Sequence, residues 1–242
     1  GASIRSDNRI QFRTGDDIVI QSGSSVTGAI NPFVAPDPAN PFTGQAIVSL
    51  DAGGINGAQL VNALPSPVSS IIAGGAISAS GSAVILSAGA IDGLGGTITA
   101  GSLSADISNA PSNAAIAATG QSDDNGLLSA QCLQGNVCLG TVNAANLVYI
   151  GQASNNDVIQ GIVQSGTVSA SDILVTTRRD IIMGTDGIAT VLNATNRFLA
   201  RSTEGNIDLR SASVDSASVL VSAANGSLLG SGSLTSLNDI GI

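Results

Sequence analysis

The sequence contains no histidine, no lysine and no tryptophan among its 242 residues. Without histidine the chain cannot form a Ser-His-Asp or Cys-His catalytic set or a histidine metal site. Without lysine it has neither a P-loop lysine nor a Schiff-base nucleophile. These absences exclude most common catalytic mechanisms, so we predict a protein that is not an enzyme and needs no cofactor.

Aromatic and charged side chains are also scarce, at 2% and 10% of the residues. An average soluble domain has roughly 25% charged residues. The core must therefore be built from Ile, Val, Leu and Ala, and the polar surface from Ser, Thr, Asn and Gly. Uncharged side chains tolerate close stacking of similar layers, because they hydrogen-bond where like charges would repel.

The balance of charge is strongly acidic, with 17 acidic residues, eight basic residues and a formal net charge of -9. This balance argues against nucleic acid and against anionic membranes as partners. No apolar run approaches the roughly 18 residues that span a bilayer, since Gly, Ser, Asn and Asp recur every few positions. The apolar residues therefore belong to a protein core.

The only cysteines, Cys132 and Cys138, lie in the segment QCLQGNVCLG. No CxxC motif or histidine accompanies them, which disfavours a metal site. A local disulfide, formed in an oxidising compartment, is the favoured interpretation. Two free buried thiols are the alternative.

Thirty glycines punctuate the chain, and the segments between them are short and rich in Ile and Val. Such spacing predicts strands and turns rather than long helices. In NRIQFRTG the alternation places Ile10 and Phe12 inward, and in GNIDLRS it places Ile207 and Leu209 inward. Both segments are predicted to be half-buried strands.

Repeats give the strongest signal. The segments TVNAANLVYI, TVSASDILVT and SVDSASVLVS share a β-branched residue, a small polar corner and an apolar strand, and TVLNATNRFL is a weaker copy with one extra residue. Their second positions are Val142, Val168, Val191 and Val214. From the intervals between these positions we infer a repeat of about 23 residues, with small insertions.

An all-strand repeat of this length fits one coil of a parallel β-helix, a solenoid in which each coil buries its apolar side against its neighbours. About ten coils, roughly 4.8 Å apart, would make one rod from residues 1–242 about 50 Å long. An antiparallel sandwich or barrel is the competing all-β fold. It would require more hairpin turns and larger core side chains.

Two irregular segments interrupt the pattern and are predicted to be excursions from the rod. Residues 31–42 hold four of the seven prolines, which cannot donate to a strand ladder. Residues 109–138 form the second excursion and include the cysteine pair. Phe33 and Phe42, in the first segment, are candidate recognition residues, with packing over the flank of the rod as the alternative.

The basic step Arg178-Arg179 is the other recognition candidate. Its alternative is structural, with both arginines paired to Asp172 and Asp180.

Paired carboxylates support a second hypothesis, a β-helical enzyme or tail-spike-like protein that acts on polysaccharides. The candidates are Asp16 with Asp17, Asp123 with Asp124, and Asp172 or Asp180. The alternative is that these residues lie at turns and strand edges on a solvated face.

A calcium site is the other use for acidic residues in such a chain. The Asn- and Asp-rich loops lack the repeated nonapeptide of calcium-binding β-rolls, so no metal is predicted.

The segments DIVIQSGSSVTG, TITAGSLSADIS and GNIDLRSASVDSASVLVSAANGSLLGSGSLTS resemble the repeats of filamentous-haemagglutinin-like exoproteins of the two-partner secretion pathway. The resemblance implies a right-handed parallel β-helical shaft on the bacterial surface, secreted through an outer-membrane transporter. It also implies a role in adhesion, aggregation or biofilm, with host or neighbouring-cell receptors or glycans as partners. Further copies, end to end or side by side in a filament, are the other expected partners.

The secretion domain of that family carries an Asn-Pro-Asn motif. Here Asn31-Pro32 is followed by Phe33, so the resemblance assigns this chain to the shaft rather than to the secretion domain.

Overall fold

The computed structural model describes residues 1–7, 9–29, 47–52, 69–106, 132, 136–151, 163–178, 180–184, 189–230 and 232–242. These residues form β-strands, turns and bends, and none of them lies in a helix. The described part of the chain therefore has no helix that could cross a membrane.

Eighteen strands make up the described structure. In the first half they are β1 (Ser3–Ser6), β2 (Arg9–Thr14), β3 (Ile18–Ile20), β4 (Ser25–Gly28), β5 (Ile47–Ala52), β6 (Ser70–Ala73), β7 (Ala76–Ser87) and β8 (Ala90–Asp106). In the second half they are β9 (Val137–Gly151), β10 (Val163–Ser165), β11 (Thr167–Thr177), β12 (Ile181–Ile182), β13 (Thr190–Ser202), β14 (Ile207–Asp208), β15 (Ala212–Ala223), β16 (Leu228–Leu229), β17 (Ser233–Ser236) and β18 (Ile240–Gly241).

The strands form one large parallel sheet and one small one. Nine strands follow each other in the large sheet in the order β1, β4, β7, β8, β9, β11, β13, β15 and β17, and six further strands pair beside this path. The small sheet has the order β12, β14, β16. The all-β prediction is confirmed. The antiparallel sandwich is wrong for the described residues, because strand neighbours there run parallel.

The register between neighbouring strands shows the repeat directly. Val142 of β9 lies beside Val168 of β11, and Leu192 of β13 lies beside Val214 of β15. Parallel strands need a connection of about a dozen residues or more, and the chain between these partners is long enough to supply it. The predicted period of about 23 residues therefore corresponds to the step between adjacent parallel strands.

One position of the predicted alignment is wrong. The neighbour of Val168 is Leu192, whereas Val191 pairs with Thr167 and points away from the core. Its strand, β13, also has an extra residue at a bulge between Ala194 and Arg197. The predicted alignment allowed one extra residue in this copy but aligned Val191 with Val168, because the adjacent apolar residues Val191 and Leu192 fit the pattern equally well.

Two columns of inward side chains build the core. Both run through nine strands, and their inner members are buried. The first consists of Ile4, Val26, Ile77, Ile98, Val142, Val168, Leu192, Val214 and Leu234. The second consists of Ile10, Val48, Val84, Leu103, Val148, Ile173, Phe198, Val219 and Ile240. The predicted inward residues Ile207 and Leu209 are also buried, and Phe12 packs against the same core.

Small residues lie between the two columns, where the long strands change direction. Ala79, Ala100 and Ala144 are neighbours in register, as are Ala170 and Ala194. The register shifts immediately after this position, as expected for a bulge. The small side chain leaves room for the strand to bend while both of its halves stay in the sheet.

The two predicted excursions lie largely outside the described residues, which include none of 31–42 and only a few residues of 109–138. The register between β8 and β9 nevertheless gives information on the second predicted excursion, residues 109–138. Thr97 pairs directly with Thr141, and no strand intervenes between β8 and β9 in the sheet. The interval between these two partners is roughly twice the repeat. The chain therefore adds about one repeat length there without adding a strand to this path.

Replacing the buried Phe198 by Ala should lower the free energy of unfolding by about 3–5 kcal/mol, since it leaves a cavity in the second column. Its neighbour Leu199 points outward, so Leu199→Ala is the matched control and should cost about 1 kcal/mol or less. The measurement is the guanidinium unfolding midpoint of both variants. Equal losses at the two positions would contradict the assigned inward and outward faces.

Candidate functional site

The predicted recognition residues Phe33, Phe42 and Arg179 lie outside the described residues. Arg178 is described, and its Nε lies 2.9 Å from Oε1 of Glu204. The prediction named Asp172 and Asp180 as the partners of the arginine pair. Glu204 was missed because it follows the next long strand, β13, and only the register brings it beside Arg178.

Asp172 is instead the centre of a small polar cluster. Its Oδ1 lies 3.3 Å from Nε of Arg197 and accepts a hydrogen bond of 3.0 Å from Nδ2 of Asn196. The hydroxyl of Ser171 donates to Oδ2 over 3.5 Å. Asp172 and Arg197 are direct neighbours in the register of β11 and β13, which explains the ion pair.

Two of the other described carboxylate candidates, Asp17 and Asp180, also connect strands, whereas Asp16 is held locally, its backbone N–H donating to the hydroxyl of Thr14 over 3.1 Å. Asp17 Oδ1 accepts a hydrogen bond of 2.7 Å from the backbone N–H of Ser70, and Asp180 Oδ1 accepts one of 2.6 Å from the backbone N–H of Asn206. Both bonds link segments that are distant in sequence. The pair Asp123 and Asp124 lies outside the described residues. Among the described residues of the chain, no group of three His, Cys, Asp or Glu side chains could hold a metal ion.

Asp208 is held by the neighbouring Arg210. Arg210 binds it through Nε to Oδ1, at 3.0 Å, and through Nη2 to Oδ2, at 2.5 Å. These side-chain hydrogen bonds lower the pKa of Asp208 below its ordinary value of 3.8, assisted by the backbone N–H of Arg210 and by its charge, and opposed by burial. The carboxylate and guanidinium stabilise the turn that follows β14.

Cys132 and Cys138 form a disulfide, with their Cα atoms 5.9 Å apart. Both residues are fully buried. Cys138 belongs to β9, where it pairs with Asp92 of β8. The bond therefore attaches the chain at residue 132 to the large sheet.

The outward side chains between the two core columns form a ladder of uncharged polar groups. Thr99, Asn143, Ser169 and Asn193 are in-register neighbours on β8, β9, β11 and β13. Three of them are exposed and Ser169 is half-buried. Within the described part of the chain, none of these four side chains hydrogen-bonds to another residue. Their donors and acceptors are available to a ligand.

This ladder lines an open groove of about 610 Å³ at the bend of the strands. Alanines at the bend form its floor, and the opposite side carries Ser171 and Thr195, next to the Asp172 cluster. No charged side chain lines the groove itself. The arrangement can bind an extended, uncharged molecule through repeated hydrogen bonds about 4.8 Å apart, the spacing of the strands.

The recognition residues predicted from the sequence, Phe33, Phe42, Arg178 and Arg179, do not include any residue of this groove. Its signal was present in the repeats, whose third residue is Asn143, Ser169 or Asp215, polar and outward-facing. The pattern indicated only an exposed position. The bend that makes the surface concave follows from the bulge, which the sequence alignment did not reveal.

Comparisons with protein-family models, with curated proteins and with solved structures find no match for this chain.

Joint replacement of Cys132 and Cys138 by Ser should lower the stability of the protein by about 2 kcal/mol, since the bond closes a short loop. In the native protein, both thiols should react with an alkylating reagent only after reduction and unfolding, as measured by mass spectrometry. Labelling of two cysteines without a reductant would contradict the bond.

The ion pair of Asp208 makes stability depend on pH. Because the folded pKa is lowered, its contribution is complete above the unfolded value of 3.8 and is lost as pH falls through the folded pKa. Asp208→Asn should therefore lower the thermal midpoint at neutral pH and have little effect in strong acid. Arg210→Met removes the cause of the lowered pKa of Asp208 and should change the thermal midpoint with the same dependence on pH. A pH-independent difference from the native protein would argue against this role.

Proposed function

We propose that this chain is a right-handed parallel β-helix that forms the shaft of a secreted bacterial adhesin or surface filament. The observation that carries the proposal is the parallel register of nine strands, in which each strand adds a further layer to the same core columns. Such a core grows by repetition along one axis. A rod of this kind supplies length and rigidity rather than a catalytic cleft.

Chain connectivity supports the handedness. The long strands follow one another in sequence order, and each returns to the same edge after about one repeat. Crossover connections between parallel strands are right-handed in about 98% of cases. Nine strands about 4.8 Å apart span a length of roughly 40 Å along the axis of the proposed rod.

The described carboxylates favour this non-catalytic role over a polysaccharide-cleaving enzyme. A glycosidase needs one carboxyl group free to donate a proton and a second free to act as base or nucleophile. Asp172 is paired with Arg197, while Asp17 and Asp180 each accept a backbone hydrogen bond. These bonds account for Asp172, Asp17 and Asp180 as connections between strands, which leaves Asp16 without a described carboxyl partner for a catalytic pair.

The disulfide and the surface support an extracellular location. Disulfides persist in oxidising compartments, and the Cys132–Cys138 bond is buried against the sheet. The outward ladder of Thr, Asn and Ser is uncharged, so stacking many layers creates no charge repulsion. Passage through an outer-membrane transporter belongs to the same proposal and rests on the resemblance of the repeats to two-partner exoproteins.

The groove is the proposed contact surface of the shaft, and an uncharged glycan is its proposed ligand. Sugar hydroxyls both donate and accept hydrogen bonds, as do the side chains of Thr99, Asn143, Ser169 and Asn193. The exposed Ala145 adds a small apolar side chain that can contact the apolar face of a sugar ring. A negatively charged polysaccharide fits less well, since the groove has no basic side chain.

Cells that display this chain should bind a surface coated with neutral glycans, and the variant Asn143→Leu with Ser169→Leu should lose most of that binding. Both positions point outward, so the core is unchanged. Thr27→Leu is the matched control, because Thr27 lies in the same outward column but outside the groove. The readout is the number of attached cells at equal display levels.

Adhesion no greater than that of cells without the displayed chain would refute the adhesive role. Adhesion unaffected by the groove variant would refute the groove as its site. Small-angle scattering of the soluble chain provides a separate check, since a compact globular particle would contradict the rod.

A further inference from the structure

A row of apolar side chains crosses four neighbouring strands on the outer side of the second core column. Tyr149, Leu174, Leu199 and Leu220 are in-register neighbours on β9, β11, β13 and β15. Each alternates with buried residues of its strand and points outward, and Leu220 is 46% exposed. We call these four residues the apolar ridge. Apolar surface patches of about 300–600 Å² are often functional.

Tyr149 widens the ridge at one end. Its hydroxyl forms a hydrogen bond of 3.1 Å with the hydroxyl of Thr176 on the next strand. Its ring lies over Gly151, where even one added carbon atom would collide with the ring. The missing side chain of Gly151 thus leaves the space that the ring occupies.

Charged side chains flank the apolar ridge unevenly. On one side, Asp172 and Arg197 are neighbours on β11 and β13. On the other side, the same two strands carry Thr176 and Arg201. In the rows next to the ridge, one flank therefore carries both signs of charge and the other only the positive charge of Arg201, with the paired Arg178 and Glu204 lying further out.

This pattern distinguishes the two ways in which a second copy could pack face to face by two-fold symmetry. With the axis along the rod, the two rods are parallel and Arg197 faces Arg201 of the partner, so like charges meet. With the axis along the strands, the rods are antiparallel and Asp172 faces Arg197 of the partner. Only the antiparallel arrangement matches opposite charges.

We propose that the apolar ridge is a docking surface for a second copy of this chain, packed antiparallel about an axis between β11 and β13. Leu174 then packs on Leu199 of the partner, and Tyr149 on Leu220. The contact brings two rods together side by side and does not use the residues of the proposed glycan-binding groove, which lies at the bend, beyond Asp172 and Arg197.

The size of the surface sets the expected strength. Four strands about 4.8 Å apart, each contributing five residues of about 3.3 Å, outline roughly 300 Å². A standard stable interface buries about 800 Å² on each partner. A single pair of ridges therefore gives a weak, concentration-dependent dimer, which tethering on a surface would strengthen.

Cysteine cross-linking tests the geometry. Leu147 and Ser218 flank the ridge on β9 and β15, and the antiparallel arrangement places Leu147 opposite Ser218 of the partner. Each residue is about 14 Å along the rod from its own symmetry mate, too far for a disulfide. Air oxidation of a mixture of Leu147→Cys and Ser218→Cys should give at least about tenfold more linked dimer than either variant alone.

Two further variants, each combined with this cysteine mixture, show whether the ridge is responsible. Leu199→Asp adds a charge at the centre of the ridge and should reduce cross-linking at least about tenfold, since two carboxylates would be buried against leucine. Asn143→Asp adds the same charge in the groove and should leave cross-linking unchanged. Thermal unfolding of each variant verifies that the fold is intact.

Several results would overturn the proposal. They are a chain that stays monomeric at high concentration, a dimer that forms without the mixed cross-link, and cross-linking that survives Leu199→Asp. The first result would leave the glycan-binding role of the groove standing. Loss of glycan adhesion with persistent mixed cross-links would refute the groove and leave the ridge.

Discussion

The whole arrangement depends on the backbone register between parallel strands. Hydrogen bonds between neighbouring strands place each residue directly beside its counterpart about one repeat further along the chain. The side chains therefore form columns, and every column must be compatible with itself. Ile, Val and Leu stack inward over nine strands, while Thr, Asn and Ser stack outward. Both kinds of column bring similar groups together without repulsion.

The same constraint explains where charges occur. Like charges in adjacent layers, about 4.8 Å apart, repel each other, so a charged column is costly unless the sign alternates. Arg13 is in register with Asp51, and Arg197 with Asp172, and each pair forms an ion pair across the two strands. The low proportion of charged residues is thus a consequence of stacking. It also leaves the groove uncharged.

Two surfaces with different chemistry lie near each other, the groove at the bend of the strands and the apolar ridge beyond it. The groove exposes unsatisfied hydroxyl and amide groups, whereas the apolar ridge exposes leucines and one tyrosine. Both surfaces repeat with the spacing of the strands, so a ligand or partner that also repeats makes several equivalent contacts. Weak individual contacts then add up along the proposed rod, which suits a fibre that must hold to a surface through many sites.

The sequence by itself determined the class of the fold and the inward faces. The missing aromatics, the frequent glycines and the short internal repeat predicted a strand-based core of small aliphatic residues, and alternation placed Ile10, Ile207 and Leu209 correctly. These features are local, since side-chain alternation requires only the geometry of one strand. Only the tertiary structure decided the neighbours: Leu192 rather than Val191 beside Val168, Arg197 beside Asp172, and Glu204 beside Arg178. A bulge of one residue shifts every later contact in a strand, and such a shift leaves almost no trace in the sequence.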